Sequence, residues 1–378
     1  MLHTLSRVCA GVLLGVAVIA FATMLTIRPV LAACPWQTVR MAPLGAAAVA
    51  NSVSALAFDD VWIVGSLSHP SGEERSFAQR FDGASWTSVP VPGIALTGVR
   101  SFSSTSAWAI GVKSVQGFVR TLAIHWDGSS WHEVSTPNAN NSTNIFLAIG
   151  GSSSDDVWAV GWYFDPNDHK TLTLAEHWNG SAWSLAPTPN VDLQNELLGV
   201  YVAAPNDAWA VGYHDDVGGT DGDVLIEHWN GSSWSVARAP SIPFAAYAAL
   251  SSIDGSSPDD IWAVGLGYSS SSSPSSTLTI HWNGSQWSYV RSPNVGSGAN
   301  LLNGVAGSKL GGAVAVGSSA SGASTLVERW SGSKWFVDTS SLSPKYSQLN
   351  GVSIGPRGIV WAAGYASTEP FDEFGCSW

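Results

Sequence analysis

An all-β fold follows from three features of the 378-residue sequence: a unit of about 50 residues that recurs along nearly the whole chain, Asn-Gly pairs between alternating apolar segments, and a composition low in charge. "DDVWIVG" (59–65) returns as "SAWAIG" (106–111), "DDVWAVG" (155–161), "NDAWAVG" (206–212), "DDIWAVG" (259–265), "GAVAVG" (312–317) and "IVWAAG" (359–364). A second motif follows each of the first six: "RFDGASW", "HWDGSSW", three "HWNG" copies and "RWSGSKW". Every tryptophan except Trp162 falls on this register or on its terminal remnants, which marks these residues as scaffold.

Each unit reads as four short strands. In the fourth these are 197–204, 208–213, 224–229 and 232–238. Asn230-Gly231 between two of them predicts a type I′ hairpin, whose two central residues need positive φ. That turn sets Trp229 and Trp234 on one face, diagonally across the pair, and His228 on the other. In the second strand Trp209 and Val211 share a face, while Ala210 and Gly212 leave the opposite face shallow. The large face of one sheet is then expected to pack on the shallow face of the next. Four-stranded antiparallel sheets stacked radially make a β-propeller, and seven closing glycines (65, 111, 161, 212, 265, 317 and 364) predict seven blades.

The pattern "VWAVG…HWNGSSW…P" resembles the kelch and galactose-oxidase type of propeller repeat, where a hydrophobic strand ends in glycines and a tryptophan follows across a turn. The second kelch glycine is replaced here by Ser66, Val112, Trp162, Tyr213, Leu266, Ser318 and Tyr365, so the likeness is to kelch-like repeats. In texture the chain is similar to exported bacterial proteins built of "WAVG…HWNGSSWS" repeats. That resemblance implies a fold and an exported address without a shared activity. The copper site of galactose oxidase needs a cysteine linked to a tyrosine, and the only cysteines here lie towards the two ends of the chain, so that site does not carry over.

The two ends fit together. "CPWQTVRMAP" (34–43) matches a fourth strand such as 129–137 with no first three strands before it, and the last unit stops after "FDEFGCSW". The N-terminal strand is therefore expected to complete the C-terminal blade and close the ring, although Trp378 aligns with the position of Trp36. Closure brings Cys34 and Cys376 into one blade as a candidate disulfide in a compartment that permits one. Ahead of the propeller (34–378), residues 1–33 hold a weakly basic start, an uncharged run (8–27) and small residues. This describes a secretory signal peptide or an uncleaved membrane anchor. "LAAC" (31–34) also resembles a lipobox, which would place a lipid on Cys34. All three export the rest, to the medium or to a bacterial cell surface, and leave the membrane contacted only through this segment.

Sixteen basic against 28 acidic residues give a net charge of −12 with no basic stripe, which disfavours nucleic acid as a partner. His125, His177, His228 and His281 share one register in four successive units, with Arg80 and Arg329 in two others. Equivalent positions in stacked sheets lie about 10 Å apart, too far for one metal ion, so these histidines read as scaffold. The paired acids Asp59/Asp60, Asp155/Asp156 and Asp259/Asp260, with Asp207, precede the tryptophan strand and read as turn-formers.

Function is expected on the loops between second and third strands and between fourth and first strands, which share one face and vary in length and content. Two loops stand out there. "WYFDPNDHK" (162–170) carries Trp162, Tyr163, Asp165, Asp168 and His169, and "YHDDVGGTDGD" (213–223) carries Tyr213, His214, Asp215, Asp216, Asp221 and Asp223. Aromatics beside carboxylates suit stacking on sugar rings with hydrogen bonds to hydroxyls. The aspartates could instead hold Ca²⁺, the one cofactor considered, although no EF-hand spacing is present. No nucleophile motif, zinc spacing or phosphate loop occurs. The expected function is a non-enzymatic, monomeric module that presents loops to an extracellular protein or glycan. The alternative is a carbohydrate-active enzyme, glycosidase- or lyase-like, with carboxylates such as Asp165 and Asp216 on the same face.

Overall fold

The computed structural model describes residues 36–44, 47–69, 71–216, 222–320, 324–340, 347–366 and 372–376. The N-terminal segment, Cys34, Asp221 and Trp378 lie outside the described residues, as does the side chain of Cys376.

The described chain is an all-β propeller. Its strands run outward in sequence order, as in the fourth repeat: Gln194–Ala204 innermost, then Asp207–Asp215, Asp223–Trp229 and Trp234–Val236, all antiparallel. The first, second, fifth and sixth repeats each form such a sheet, and the third and fourth are joined into one of eight strands by a single parallel bridge, Thr171 to Gln194. The last sheet takes Ser347–Ile354, Val360–Ala366 and Asp372–Cys376 from the C-terminal end, with Gln37–Arg40 paired antiparallel to the last of these from Gln37↔Gly375 to Arg40↔Asp372.

The recurring glycine has a steric cause. A Cβ on Gly212 would sit 1.8 Å from the Glu196 carbonyl oxygen of the innermost strand. The ladder shifts register there, between Leu197 and Gly199, so the two backbones approach more closely than any side chain permits. The same clash, at about 2 Å, recurs at the other six closing glycines.

Sheets hold one another through tryptophan. Trp209 packs between Trp282 and Trp287 of the next repeat, with ring centroids 4.7 and 5.4 Å away. Trp62, Trp108, Trp158 and Trp262 do the same to the hairpin pairs that follow them, and Trp361 of the last repeat meets Phe81 and Trp86 of the first. In the sixth repeat Val314 takes the tryptophan position, and it packs with Trp36 from the N-terminal strand. Trp36 Nε1 donates to Asp338 Oδ2 (3.0 Å), which also pairs with buried Arg329 at 2.5 Å. The shallow face works as expected: Ala208 and Ala210 receive Trp158 and Val160 of the preceding repeat.

The hairpin differs from the type I′ expectation. Trp229 pairs directly with Trp234, so the loop holds four residues, Asn230 to Ser233. Asn230 keeps negative φ and only Gly231 is positive, at 92°. The asparagine acts through its side chain instead, Oδ1 accepting from the N–H of Ser232 and Ser233 at 3.0 and 3.1 Å. Its equivalents Asp127, Asn179 and Asn283 do the same.

Next to the histidine register, Glu176, Glu227 and Glu328 are fully buried, and burial pushes each carboxyl up to about 8. Among the described residues neither carboxyl oxygen of Glu227 or Glu328 has a hydrogen-bond partner. The first repeat has Gln79 in that register. Its amide accepts from Ala42 N–H (3.0 Å) and donates to Ala42 C=O (2.8 Å) and Ser88 Oγ (2.9 Å), which shows that the position suits a neutral group.

Two predictions follow from this packing. Trp158→Ala empties a wedge that is 1% exposed and is expected to cost about 3–5 kcal/mol, lowering Tm by several degrees in a thermal melt. The three glutamates hold their protons in the folded chain to about pH 8, but only to about 4.5 when unfolded. Their contribution to stability is therefore greatest below pH 4.5 and declines as the pH rises to 8, by up to about 1.4 kcal/mol per pH unit for each group. Replacing all three by Gln should raise Tm at pH 8 much more than at pH 5; equal shifts at both would mean the carboxyls ionise freely.

Candidate functional site

The repeated histidines are structural, and so are the acids before the tryptophan strand: Asp59, Asp155 and Asp259 sit in the turn as expected, whereas Asp60, Asp156, Asp207 and Asp260 do not act as turn-formers. His228 Nε2 lies 2.8 Å from Asp207 Oδ1, and the ring packs on Trp209 at 4.2 Å. His177–Asp156 and His281–Asp260 repeat the pair at 2.7 Å, and Arg80 binds both oxygens of Asp60 at 2.9 Å. The second acid of each pair thus reaches across the sheet to the third strand instead of bonding nearby backbone. His125, whose register partner is Ser106, takes that hydroxyl at 3.1 Å. The hydrogen bonds from His281 and Ser256 outweigh burial and hold Asp260 below its ordinary value.

The two predicted loops are separate features. In the first, Trp162 is half-buried, and Tyr163 packs on the Phe146 and Trp183 core, its hydroxyl raised by burial and then by Asp165. Asp165 Oδ1 accepts from the Asn167 N–H (2.9 Å), Asp168 faces Lys170 at 3.8 Å, and His169 adopts φ 54° at the exposed tip. Between this hairpin and the second loop runs the connection 186–193. Thr171 N–H donates to Leu193 C=O on one side, and Asp192 holds His214 Nδ1 on the other. Asp215 is buried, Asp216 is exposed, and exposed Asp223 accepts from the Val224 N–H. Among the described residues no group of three or more His, Cys, Asp or Glu side chains could hold a metal ion.

The fourth-to-first connections vary less than expected. In the second, third and fifth repeats Asn138, Asn190 and Asn294 accept from the N–H groups of Thr121, Thr173 and Thr277 in the third strand, and Asn144, Asn195 and Asn300 brace the loop from its far end. The connection 237–246 of the fourth repeat, "ARAPSIPFAA", contains no asparagine.

Beside that divergent connection the structure assembles an aromatic platform. Tyr247, at the start of one strand, stacks on Tyr268 with centroids 4.7 Å apart and planes 7° apart, and Tyr213 lies 6.2 Å from Tyr247. Glu196 accepts from Tyr213, and its carboxyl is raised by burial against that hydrogen bond. Burial, then Tyr268, Asp215 and Glu196, push Tyr247 up to about 12, so this hydroxyl stays neutral and able to donate a hydrogen bond at ordinary pH. Sequence reading found Tyr213 and Asp215 but missed Tyr247, Tyr268 and Glu196. Tyr268 was findable, because it follows "DDIWAVG" three residues on, in the register of Asp215 on the loop already singled out in the fourth repeat.

The innermost strands line a central channel of about 280 Å³. At its loop-face end Asn51, Asn303 and Asn350 donate to the carbonyls of Leu96, Leu349 and Ala50 in neighbouring sheets at 2.8–2.9 Å, so these amides are consumed in joining sheets. Arg100 and Asp254 line the channel nearer the short-turn face, and burial raises the Asp254 carboxyl against the pull of Arg100.

No family model matches the sequence, and no curated protein is significantly similar to it. Solved structures are similar in fold. YCF48 from Cyanidioschyzon merolae has a TM-score of 0.56 at 13% identity, covering 91% of this chain and 98% of that one. The β-propeller domain of the Trilobed protease from Pyrococcus furiosus gives 0.55 at 10%, covering 87% and 95%. A family PL25 polysaccharide lyase, an ulvan lyase bound to -[GlcA(1-4)Rha3S]-, gives 0.53 at 10%, covering 90% and 96%. At these identities the likeness shows the propeller fold alone, without the kelch-type motif. Among the described residues no helix is long and apolar enough to cross a membrane.

The His–Asp pair yields a prediction with a pH signature. Asp260→Asn should lower Tm at neutral pH, because the depressed carboxyl stabilises the fold above its ordinary value. The deficit should begin to shrink below about pH 4, where the unfolded carboxyl takes up its proton, and vanish only once the pH falls through the depressed native value. A deficit that does not shrink at all between about pH 5 and pH 3 would assign the effect to shape and not to charge.

Proposed function

We propose that the chain is an exported, non-enzymatic binding module that recognises a glycan on the loop face of its fourth and fifth repeats. In this reading the scaffold has seven blades, with Gln37–Arg40 closing the ring against Asp372–Cys376, and residues 1–33 direct export or anchor it. The observation that carries the reading is the Tyr213–Tyr247–Tyr268 platform beside Glu196 and Asp215. Neutral, half-exposed rings next to hydrogen-bonding carboxyls offer a sugar both a stacking face and acceptors for its hydroxyls. The hairpin 162–170, beyond the connection 186–193, is the second candidate surface, and Asp216 and Asp223 flank the platform's own loop, whose sequence also carries Asp221.

The second reading, a carbohydrate-active enzyme at the same place, draws on Glu196, a carboxyl held up by burial within hydrogen-bonding reach of a tyrosine. An extracellular protein partner on this face is the remaining form of the module reading.

Tyr247→Ala with Tyr268→Ala is expected to weaken oligosaccharide binding about tenfold or more in isothermal titration, with the fold intact by circular dichroism. Retention of full affinity would sink the platform. Glu196→Gln separates the two readings: wild-type turnover lost with binding kept identifies an enzyme, and binding without turnover in either protein identifies a module.

A further inference from the structure

A repeat protein carries its own control. A residue the scaffold needs recurs in register, and one confined to a single place has another cause. On the outermost strand the residues opposite Gln79, Ile124, Glu176, Glu227, Ile280 and Glu328 are Ser88, Glu133, Leu185, Val236, Tyr289 and Val337. Tyr289 is the aromatic one. Two residues further on stand Pro90, Ser135, Pro187, Arg238, Arg291 and Thr339, so arginine appears in two adjacent repeats of an otherwise acidic chain. The same junction holds a connection without the asparagine brace, as does that after the first repeat, 90–94, where Gly93 C=O accepts from Ser76 N–H instead.

These departures meet in one cleft. Between the outer edges of the fourth and fifth repeats lies a groove of about 780 Å³, lined by Arg238, Trp282, Gln286 and Tyr289 among others. Past Tyr289 it continues into a second hollow of about 530 Å³, lined by Phe244 and Arg291. The Phe244 and Tyr289 rings stand 5.9 Å apart. Phe244 also lies against Gly267, beside Tyr268, so the aromatic surface runs on from the loop-face platform to the outer rim. Arg238 and Arg291 are exposed, and among the described residues neither has a hydrogen bond or ion pair with the protein. Arg75, Arg80, Lys113 and Arg329 are paired with carboxylates; among the described residues Arg100, Lys309, Lys334 and Arg357 are not, but none of these lines this cleft.

We infer that this cleft binds an anionic polysaccharide, with sugar rings against Phe244 and Tyr289 and ring carboxylates on Arg238 and Arg291. The inference rests on the glycan reading of the loop face and narrows it to the uronic-acid class. A guanidinium accepts a carboxylate in a planar, two-pronged fit, which suits a charge placed at a fixed spacing along a stiff chain. The net charge of −12 repels such a polymer over the remaining surface, so two local arginines set its position. An acidic peptide fits less well. The outer strands Trp234–Val236 and Trp287–Tyr289 are three residues each, which leaves little backbone edge for a peptide strand to pair with.

The test is isothermal titration of the whole chain with oligogalacturonate, the same oligosaccharide fully methyl-esterified, and poly-glutamate, each at low and high salt. Oligogalacturonate is expected to bind about tenfold or more tightly than its ester, with an affinity that falls as salt rises. Arg238→Gln with Arg291→Gln should erase that difference and the salt dependence while leaving Tm unchanged, and Tyr289→Ala should weaken both glycans. Equal affinity for acid and ester, lost on Tyr247→Ala with Tyr268→Ala, overturns this inference and keeps the loop-face reading. No binding of either glycan overturns both. Poly-glutamate bound as tightly as oligogalacturonate, and lost in the double arginine variant, overturns the assignment to a glycan.

Discussion

One tryptophan wedged between two others recurs from sheet to sheet, and the rest of the molecule is arranged around it. The wedge needs a flat, shallow partner face, hence the alternation of tryptophan with alanine along the second strand. It needs its own sheet to hold it from behind, which the histidine or arginine does by packing on the ring while an aspartate fixes its far side. Close sheets also need close strands, so a glycine stands wherever the second backbone presses on the first. Aromatic edge-to-face contact adds to the area buried, and together these fix the angle between neighbouring sheets.

Function is then expected where the scaffold relaxes. Most titratable side chains on the second and third strands are spent on sheet-to-sheet or strand-to-strand pairing, and the channel amides are spent on joining neighbouring sheets. The junction of the fourth and fifth repeats is different. There the Asn-braced connection gives way to a proline- and phenylalanine-bearing segment, the third strand carries Val224 where other repeats place threonine or serine, and tyrosines collect on the loop face and along the rim. A rigid ring lets one junction change without disturbing the others, because each sheet contacts mainly its neighbours.

The buried glutamates show how far a scaffold position can drift. Gln79 satisfies both hydrogen-bonding senses of a backbone amide, while Glu176, Glu227 and Glu328 place an acid in the same slot and keep it by holding it neutral. The cost is a contribution to stability that falls as the pH rises from about 4.5 to about 8, spread over the three repeats that carry these residues. Isoleucine fills the slot in the second and fifth repeats, so the position tolerates any neutral occupant of suitable size.

The sequence by itself determined the architecture, because a propeller is written in a local code. Tryptophan, glycine and asparagine recur at fixed spacing, and each acts on residues a few positions away or on the matching position of the next unit. The same code exposed the histidines as scaffold. It misread the hairpin, since Asn-Gly serves both a two-residue turn and the four-residue loop found here, and only the pairing of Trp229 with Trp234 separates them. It also misread the second aspartate of each pair, whose partner lies two strands' length away along the chain. What only the tertiary structure decided is which loops meet. Hairpin 162–170 and loop 213–223 look adjacent in sequence order, yet the connection 186–193 stands between them. Phe244, Tyr247, Tyr268 and Tyr289 are scattered over more than forty residues and converge through strand pairing within the fifth repeat and the connection leading into it, and Tyr213 joins them only because the fourth repeat packs against that sheet.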